Sequence, residues 1–210
     1  MSLGAGGHDI LCFEILGLAE KGGAARLITL VLGGARSGKS TFAERLVAGC
    51  APVTYIATAD SKDSEMEQRI KIHKSRRPEG WRTWEGEAAS LPGDIAGMEG
   101  ALLLDCLTMF LSRLFLSAPE SEGDDEEAWS GAERGILALV EKIFSSAAAA
   151  DKRLVAVSNE VGFGLVPPYL MGRRFRDTQG RANQIAASLS DDVVLIVAGL
   201  PLWLKGGPGA

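Results

Sequence analysis

Short apolar runs rich in β-branched residues alternate along the chain with longer stretches in which apolar positions recur at helical spacing. Leu27 to Leu32 predicts a buried strand, and Thr41 to Ala48 behind it predicts a helix. Val53 to Ala57 repeats the strand signal; after an acidic opening at Asp60 and Asp63, Glu65 to Arg77 carries strong helix formers. Ala101 to Leu104, Leu154 to Val157 and Val193 to Val197 read as further strands, with helices over Thr108 to Leu116, Trp129 to Ala149 and Arg173 to Leu189 between them. Leu200 to Lys205 is a candidate edge strand. Strands separated by helices imply crossover units, so the expected class is α/β, one domain with a mostly parallel sheet and helices on both faces.

The expected domain spans 27–205, preceded by a Gly- and Ala-rich extension over 1–26, weakly ordered or packed as an add-on, and followed by a tail over 206–210. Ser117 to Glu127, where Pro119, Gly123 and a cluster of acidic residues fall together, reads as an exposed connection. At 210 residues and 46% hydrophobic composition the chain can bury one substantial core. Its formal net charge of -5 leaves no chain-wide basic field to collect nucleic acid. No apolar run approaches the roughly 20 residues of an integral membrane span. Cys12, Cys50 and Cys106 are odd in number and far apart, which suggests neither a disulfide framework nor a zinc site and fits a cytoplasmic protein. The apolar run Ile10 to Ala19, broken by Glu14 and preceded by Asp9, does not read as a secretory signal.

The segment Gly33-Gly34-Ala35-Arg36-Ser37-Gly38-Lys39-Ser40 matches the Walker A pattern in the context that pattern needs, a strand before it and a helix after it, and predicts a P-loop NTPase. Small residues let successive backbone N–H groups turn inward around phosphates, and the helix N-terminus adds positive potential. Lys39 can bridge the β- and γ-oxygens of ATP or GTP, and the Ser40 hydroxyl can ligate Mg2+. Asp105 ends the third apolar run, where a carboxylate can reach the same metal; a helix cap is its competing role. Thr58, closing the second strand on the same sheet edge, either touches nucleotide or caps a turn.

His73 stands among cations, with Arg69 four residues before it, Arg76 three after and Arg77 four after. On a helix those offsets place three guanidiniums on the histidine's own face. Clustered positive charge lowers the imidazole pKa and keeps the ring neutral, the form that attacks phosphorus, while the same guanidiniums can hold phosphate oxygens. Read by itself, the stretch is a surface histidine on a solvated basic helix; beside a P-loop it becomes a candidate phosphoryl or nucleotidyl acceptor. Pro78 then stops the helix, and Trp81 and Trp84 pack close by as core or lid. Glu85 can accept hydrogen bonds from a guanine edge or stand exposed in solvent. A P-loop kinase of another small molecule would keep Lys39 and Asp105 without using His73, and a nucleotide switch without catalysis would need no histidine chemistry.

Several of these segments together resemble the bifunctional adenosylcobinamide kinase / adenosylcobinamide-phosphate guanylyltransferase family of cobalamin biosynthesis. The likeness runs through the loop at 33–40, Ile56-Ala57-Thr58-Ala59, Asp63-x-Glu65-Met66-x-x-Arg69-Ile70-x-x-His73-x-x-x-Arg77-Pro78 and Trp81-Arg82-Thr83 with Glu85. It continues through Ser158-Asn159-Glu160-Val161-Gly162-x-Gly164-x-Val166-Pro167, Arg174, Arg176-Asp177, Gly180, Asn183-Gln184 and Ala198-Gly199-Leu200-Pro201 with Lys205. It implies a RecA-like fold, often trimeric, that phosphorylates the aminopropanol hydroxyl of adenosylcobinamide and transfers GMP onto that phosphate. His73 matches the guanylylated histidine. Nucleotide contacts are implied at the loop, at Ala57, Thr58 and Ala59, at Lys74, Ser75, Arg76 and Arg77, and at Glu85 and Asp105. Glu160 and the Gly162/Gly164 loop are corrinoid- or nucleotide-facing at the sheet edge, or else a capped turn. Ile72 departs from the pattern, standing where some relatives have a second histidine, and the residues before Leu27 have no counterpart in it.

Overall fold

The computed structural model describes residues 28–58, 78–118 and 124–208. Its frame is a seven-stranded sheet. In chain order the elements are β1 (Ile28–Gly33), α1 (Lys39–Val47), β2 (Val53–Ala57), β3 (Arg82–Trp84), the one-turn α2 (Leu91–Asp94) continued by a 3-10 turn (Ile95–Gly97), β4 (Ala101–Asp105), α3 (Leu107–Leu116), α4 (Glu126–Ala149), β5 (Leu154–Asn159), α5 (Leu170–Leu189), β6 (Asp192–Val197) and β7 (Leu200–Lys205). The strand order is β3-β2-β4-β5-β1-β6-β7, parallel throughout except for β7, which returns antiparallel on β6.

The central strands read as unbroken apolar runs because they are buried on both faces. One face carries α3, α4 and α5 over Leu30, Ile56, Leu102, Leu104, Ala156 and Val193, with Phe110 and Phe144 fully buried among them. The other presents Val31, Tyr55, Leu103, Val155, Val157 and Val194 to Phe42, Ala43, Leu46 and Val47 of α1. Burying each such side chain contributes about 1.5–3 kcal/mol, so the sheet's two faces set the register as well as the stability.

Several boundaries differ from the sequence pattern for identifiable reasons. The acidic connection ends sooner than expected because Asp125 becomes the N-cap of α4, its carboxylate accepting from the N–H groups of Glu127 and Ala128 at 3.0 Å, so Glu126 and Glu127 form the first turn. β3 lacks an apolar run because it is a three-residue edge strand with Arg82 and Thr83 exposed. The candidate edge strand at 200–205 does pair, through a two-residue turn in which Ala198 and Gly199 both have positive φ, 52° and 81°. Beyond it Gly207 is buried, its N–H donating to Asp192 Oδ1 at 2.8 Å. The predicted helix over Glu65–Arg77, the 1–26 extension and Leu27 lie outside the described residues. Among the described residues no helix is long and apolar enough to cross a membrane.

Candidate active site

The C-terminal edge of the parallel sheet gathers the loop after β1, the end of β4 and the end of β5. Gly33 closes β1 in pairing with Asn159 of β5 on one side and Ile196 of β6 on the other. A Cβ at position 33 would collide with the Ser37 hydroxyl and come within 2.9 Å of the Ile196 carbonyl oxygen, so only glycine lets the chain turn there. Gly38, at φ 96°, opens α1 in the left-handed region, which a side chain would strain. Between them Ser37 N–H donates to Gly34 O at 3.3 Å and Gly199 N–H donates to Ser37 O at 2.9 Å, so the β6–β7 turn braces the loop from the side. Gly34, Ala35 and Arg36 are exposed, and Lys39 lies back across the loop with Nζ donating to Gly34 O at 3.2 Å.

Helix α1 packs along β5 and β4, and its first turn brings Ser40 to Asp105, the hydroxyl donating to Oδ1 at 3.2 Å. Tyr55 OH donates to Asp105 Oδ2 at 3.3 Å. The cap position of α3 is Cys106, without a side-chain cap. A hydroxyl and a carboxylate side by side are hard oxygen donors, the set that suits a small divalent cation completed by phosphate oxygens and water. Among the described residues no group of three or more His, Cys, Asp or Glu could hold a metal through side chains alone. Burial first, and then the Asp105 carboxylate, push the neighbouring Cys106 thiol up to about 11. It therefore stays protonated at neutral pH and is no nucleophile.

Thr58 is 1% exposed; its hydroxyl donates to Cys106 O and accepts from Cys106 N–H, both at 2.8 Å, which locks the ends of β2 and β4 together. Ala57 pairs with Asp105 beside it. Glu85 is exposed directly after β3, four strands from β1, which at ~4.8 Å per strand is roughly 19 Å. Trp81 and Trp84 pack against opposite faces of the core. Ala59, His73, Lys74, Ser75, Arg76 and Arg77 lie outside the described residues.

Sequence reasoning gave no supporting role to three parts of this edge, although Gly199, Ser158 and Asn183 fall in the motifs of the resemblance. Tyr55 is hidden as one member of an apolar run, and Gly199 acts through its backbone from a turn far along the chain. The third is a buried network in which Gln179 Nε2 donates to Ser158 Oγ and Asn183 Oδ1 at 2.9 Å, while Ser158 Oγ donates to the same Asn183 oxygen at 2.7 Å. Asn183 Nδ2 then donates to Asn159 O at 3.0 Å. The signal for it was present, since Gln179 and Asn183 stand one helical turn apart on the inward face of α5.

The pattern of the cobinamide kinase / cobinamide phosphate guanyltransferase family matches residues 29–204. The bifunctional adenosylcobalamin biosynthesis protein CobP of Pseudomonas aeruginosa is 42% identical over 184 residues, 85% of this chain and 98% of its own. The protein CobU of Escherichia coli, described in the same words, is 37% identical over 182 residues, 85% of this chain and 100% of its own. Among solved structures, an ATPase from the type III secretion system of pathogenic bacteria superposes with a TM-score of 0.50 at 11% identity, over 80% of this chain and 50% of that one, and so shares the fold alone. A matched pattern running from β1 to the end of β7, with relatives covered over essentially their whole length, places the chain in the cobinamide kinase / cobinamide phosphate guanyltransferase family.

Proposed function

We propose that this protein phosphorylates the aminopropanol hydroxyl of adenosylcobinamide and then transfers GMP from GTP to that phosphate through a guanylylated His73, giving adenosylcobinamide-GDP. The observation that carries this is the Ser40–Asp105 pair, 3.2 Å apart at the mouth of the Gly33–Ser40 loop, because a triphosphate cradle with a cation pocket is what the two half-reactions share. Ser40 and Asp105 would hold Mg2+, which offsets the charge of the transferring phosphates. The loop N–H groups and Lys39 bind and orient ATP or GTP. Phosphorylation then needs no protein nucleophile, but it does need the substrate hydroxyl in line with the γ-phosphate.

In the second half-reaction a neutral imidazole nitrogen of His73 bonds to the α-phosphorus of GTP and pyrophosphate leaves, its charge held by Lys39, Arg76 and Arg77. A phosphate oxygen of the phosphorylated cobinamide then attacks the phosphoramidate, the imidazole departs, and GMP is joined to the substrate. Glu85, at the far end of the same edge, faces the guanine. The loop after β5 supports a corrinoid acceptor: Phe163, Leu165, Val166 and Tyr169 are exposed in the segment that follows Glu160 and offer an apolar surface to a large macrocycle. A cytoplasmic homo-oligomer, trimeric as in the family resembled, completes the reading.

The test uses GTP labelled at the α-phosphate. Acid-labile, base-stable label on the wild-type protein, its loss in His73→Ala, and retention of much of the kinase activity in that variant are the expected results. Label that persists in His73→Ala together with GMP transfer at a comparable rate overturns the histidine's role. Unlabelled wild-type protein that still phosphorylates points to a kinase of another kind.

A further inference from the structure

β5 lies between the strand that carries the phosphate loop and the strand that ends in Asp105. The residue just after its C-terminal end, Glu160, therefore stands at the sheet edge between the strand of the phosphate loop and the strand of Asp105. The Glu160 N–H donates to Gly33 O at 3.1 Å, which ties this residue to the first glycine of the phosphate loop. The residue is half-buried, and its carboxylate accepts from Gly162 N–H at 2.7 Å. A Cβ at position 162 would stand 2.9 Å from that carboxylate oxygen, so the glycine leaves it room.

The footing beneath Glu160 is stiff. Asn159 N–H donates to Thr108 Oγ1 at 2.8 Å, and its carbonyl accepts from Asn183, which the buried Ser158–Gln179 contacts hold in place. These contacts fix the backbone from which the Glu160 side chain departs, and the Gly162 N–H orients its carboxylate. The other carboxylates at this edge, among the described residues, are differently placed: Asp105 is engaged by Ser40 and Tyr55, and Glu85 stands four strands from β1.

Resting on the kinase reading above, we infer that Glu160 is the general base of the phosphoryl-transfer step. The acceptor hydroxyl oxygen bonds to the γ-phosphorus as the bond from that phosphorus to the β–γ bridging oxygen breaks. The nucleoside diphosphate leaves with the electron pair on the bridging oxygen, and the hydroxyl proton passes to the Glu160 carboxylate. In a loose transition state the proton moves late, so the carboxylate first orients the hydroxyl and then receives its proton. Guanylyl transfer asks for no such group, because neither the attacking imidazole nitrogen nor the attacking phosphate oxygen carries a proton to be removed.

Glu160→Gln isolates the proposal, since the amide oxygen still accepts from Gly162 N–H while the base is gone. Phosphorylation of adenosylcobinamide is expected to fall about 10²-fold or more in kcat, with nucleotide KM comparable to wild type. GMP transfer from α-labelled GTP to adenosylcobinamide phosphate supplied ready-made should continue, and Glu160→Asp should recover part of the kinase rate. A kinase rate in Glu160→Gln close to wild type overturns the assignment. So does equal loss of both activities, which would make Glu160 part of the shared cradle. Wild-type protein that phosphorylates no adenosylcobinamide removes the kinase reading itself, a failure visible before any variant is made.

Discussion

The phosphate loop and the loop after β5 begin side by side, at Gly33 and Glu160, joined by one backbone hydrogen bond, and from there they are built by opposite rules. The first is backbone: glycines at 33 and 38, a brace from Gly199, and N–H groups whose direction no side chain decides. The second, over 161–169, is side chain: Phe163 is 83% exposed and Leu165 97%, with Val166 and Tyr169 also in solvent. Its far end is held by Arg173 Nη1, which donates to Pro168 O at 2.9 Å. Backbone dipoles recognise what all nucleoside triphosphates have in common, whereas apolar side chains recognise the body of one acceptor. On the proposed reading, the edge would separate a general chemistry from a particular substrate within a few residues of one strand end.

The sharpest way to break that division is Lys39→Ala. If one cradle serves both half-reactions, the variant should lose about 10²–10³-fold in each, since a positioned charge facing the phosphates is removed. Steady-state kinetics of phosphorylation and of GMP transfer, measured separately, decide it. Loss of one activity with the other at its wild-type rate requires a second triphosphate site and ends the single-cradle account.

A smaller effect is expected at the cation pair. Asp105→Asn keeps one acceptor oxygen, for Ser40 or Tyr55 but not for both, and removes the charge, so half-maximal activity should require about tenfold more Mg2+. An Mg2+ titration that superposes on wild type would leave Asp105 only the task of joining α1 to β4.

Much of the cradle is legible in the sequence because it is local: eight consecutive residues and their flanking periodicities specify it. Asp105 was legible for a similar reason, as a charge that ends a buried run. The supports were not, because they are made between distant segments. Nothing near Gly33 announces that Ile196 will stand behind it, nor that the turn at Ala198 and Gly199 will brace Ser37. Thr58 could be placed on the functional edge, yet its direction depends on Cys106 of the neighbouring strand, and the structure turns its hydroxyl inward. β3 escaped notice because a three-residue edge strand needs no apolar alternation, and the start of α4 was misplaced because a capping aspartate looks like any other member of an acidic run.

The smallest expected effect tests the side-chain half of the comparison. If the loop after β5 covers one face of the macrocycle, Phe163→Ser and Leu165→Ser should each raise the KM for adenosylcobinamide while the KM for nucleotide and any labelling of the protein from α-labelled GTP stay as in wild type. Burying one such side chain completely contributes about 1.5–3 kcal/mol, and a side chain covered on one side only should contribute about half of that, a roughly fourfold to tenfold rise in KM. Stability should not change, because both side chains are already in solvent and lose no internal packing. That separates the two halves cleanly: a defect in the cradle appears in every reaction that uses a triphosphate, and a defect in the loop only when the corrinoid is the varied substrate. Unchanged KM for adenosylcobinamide in both variants, with sedimentation showing a smaller assembly than wild type, would mean that these side chains cover a second copy of the chain and that the macrocycle is held elsewhere.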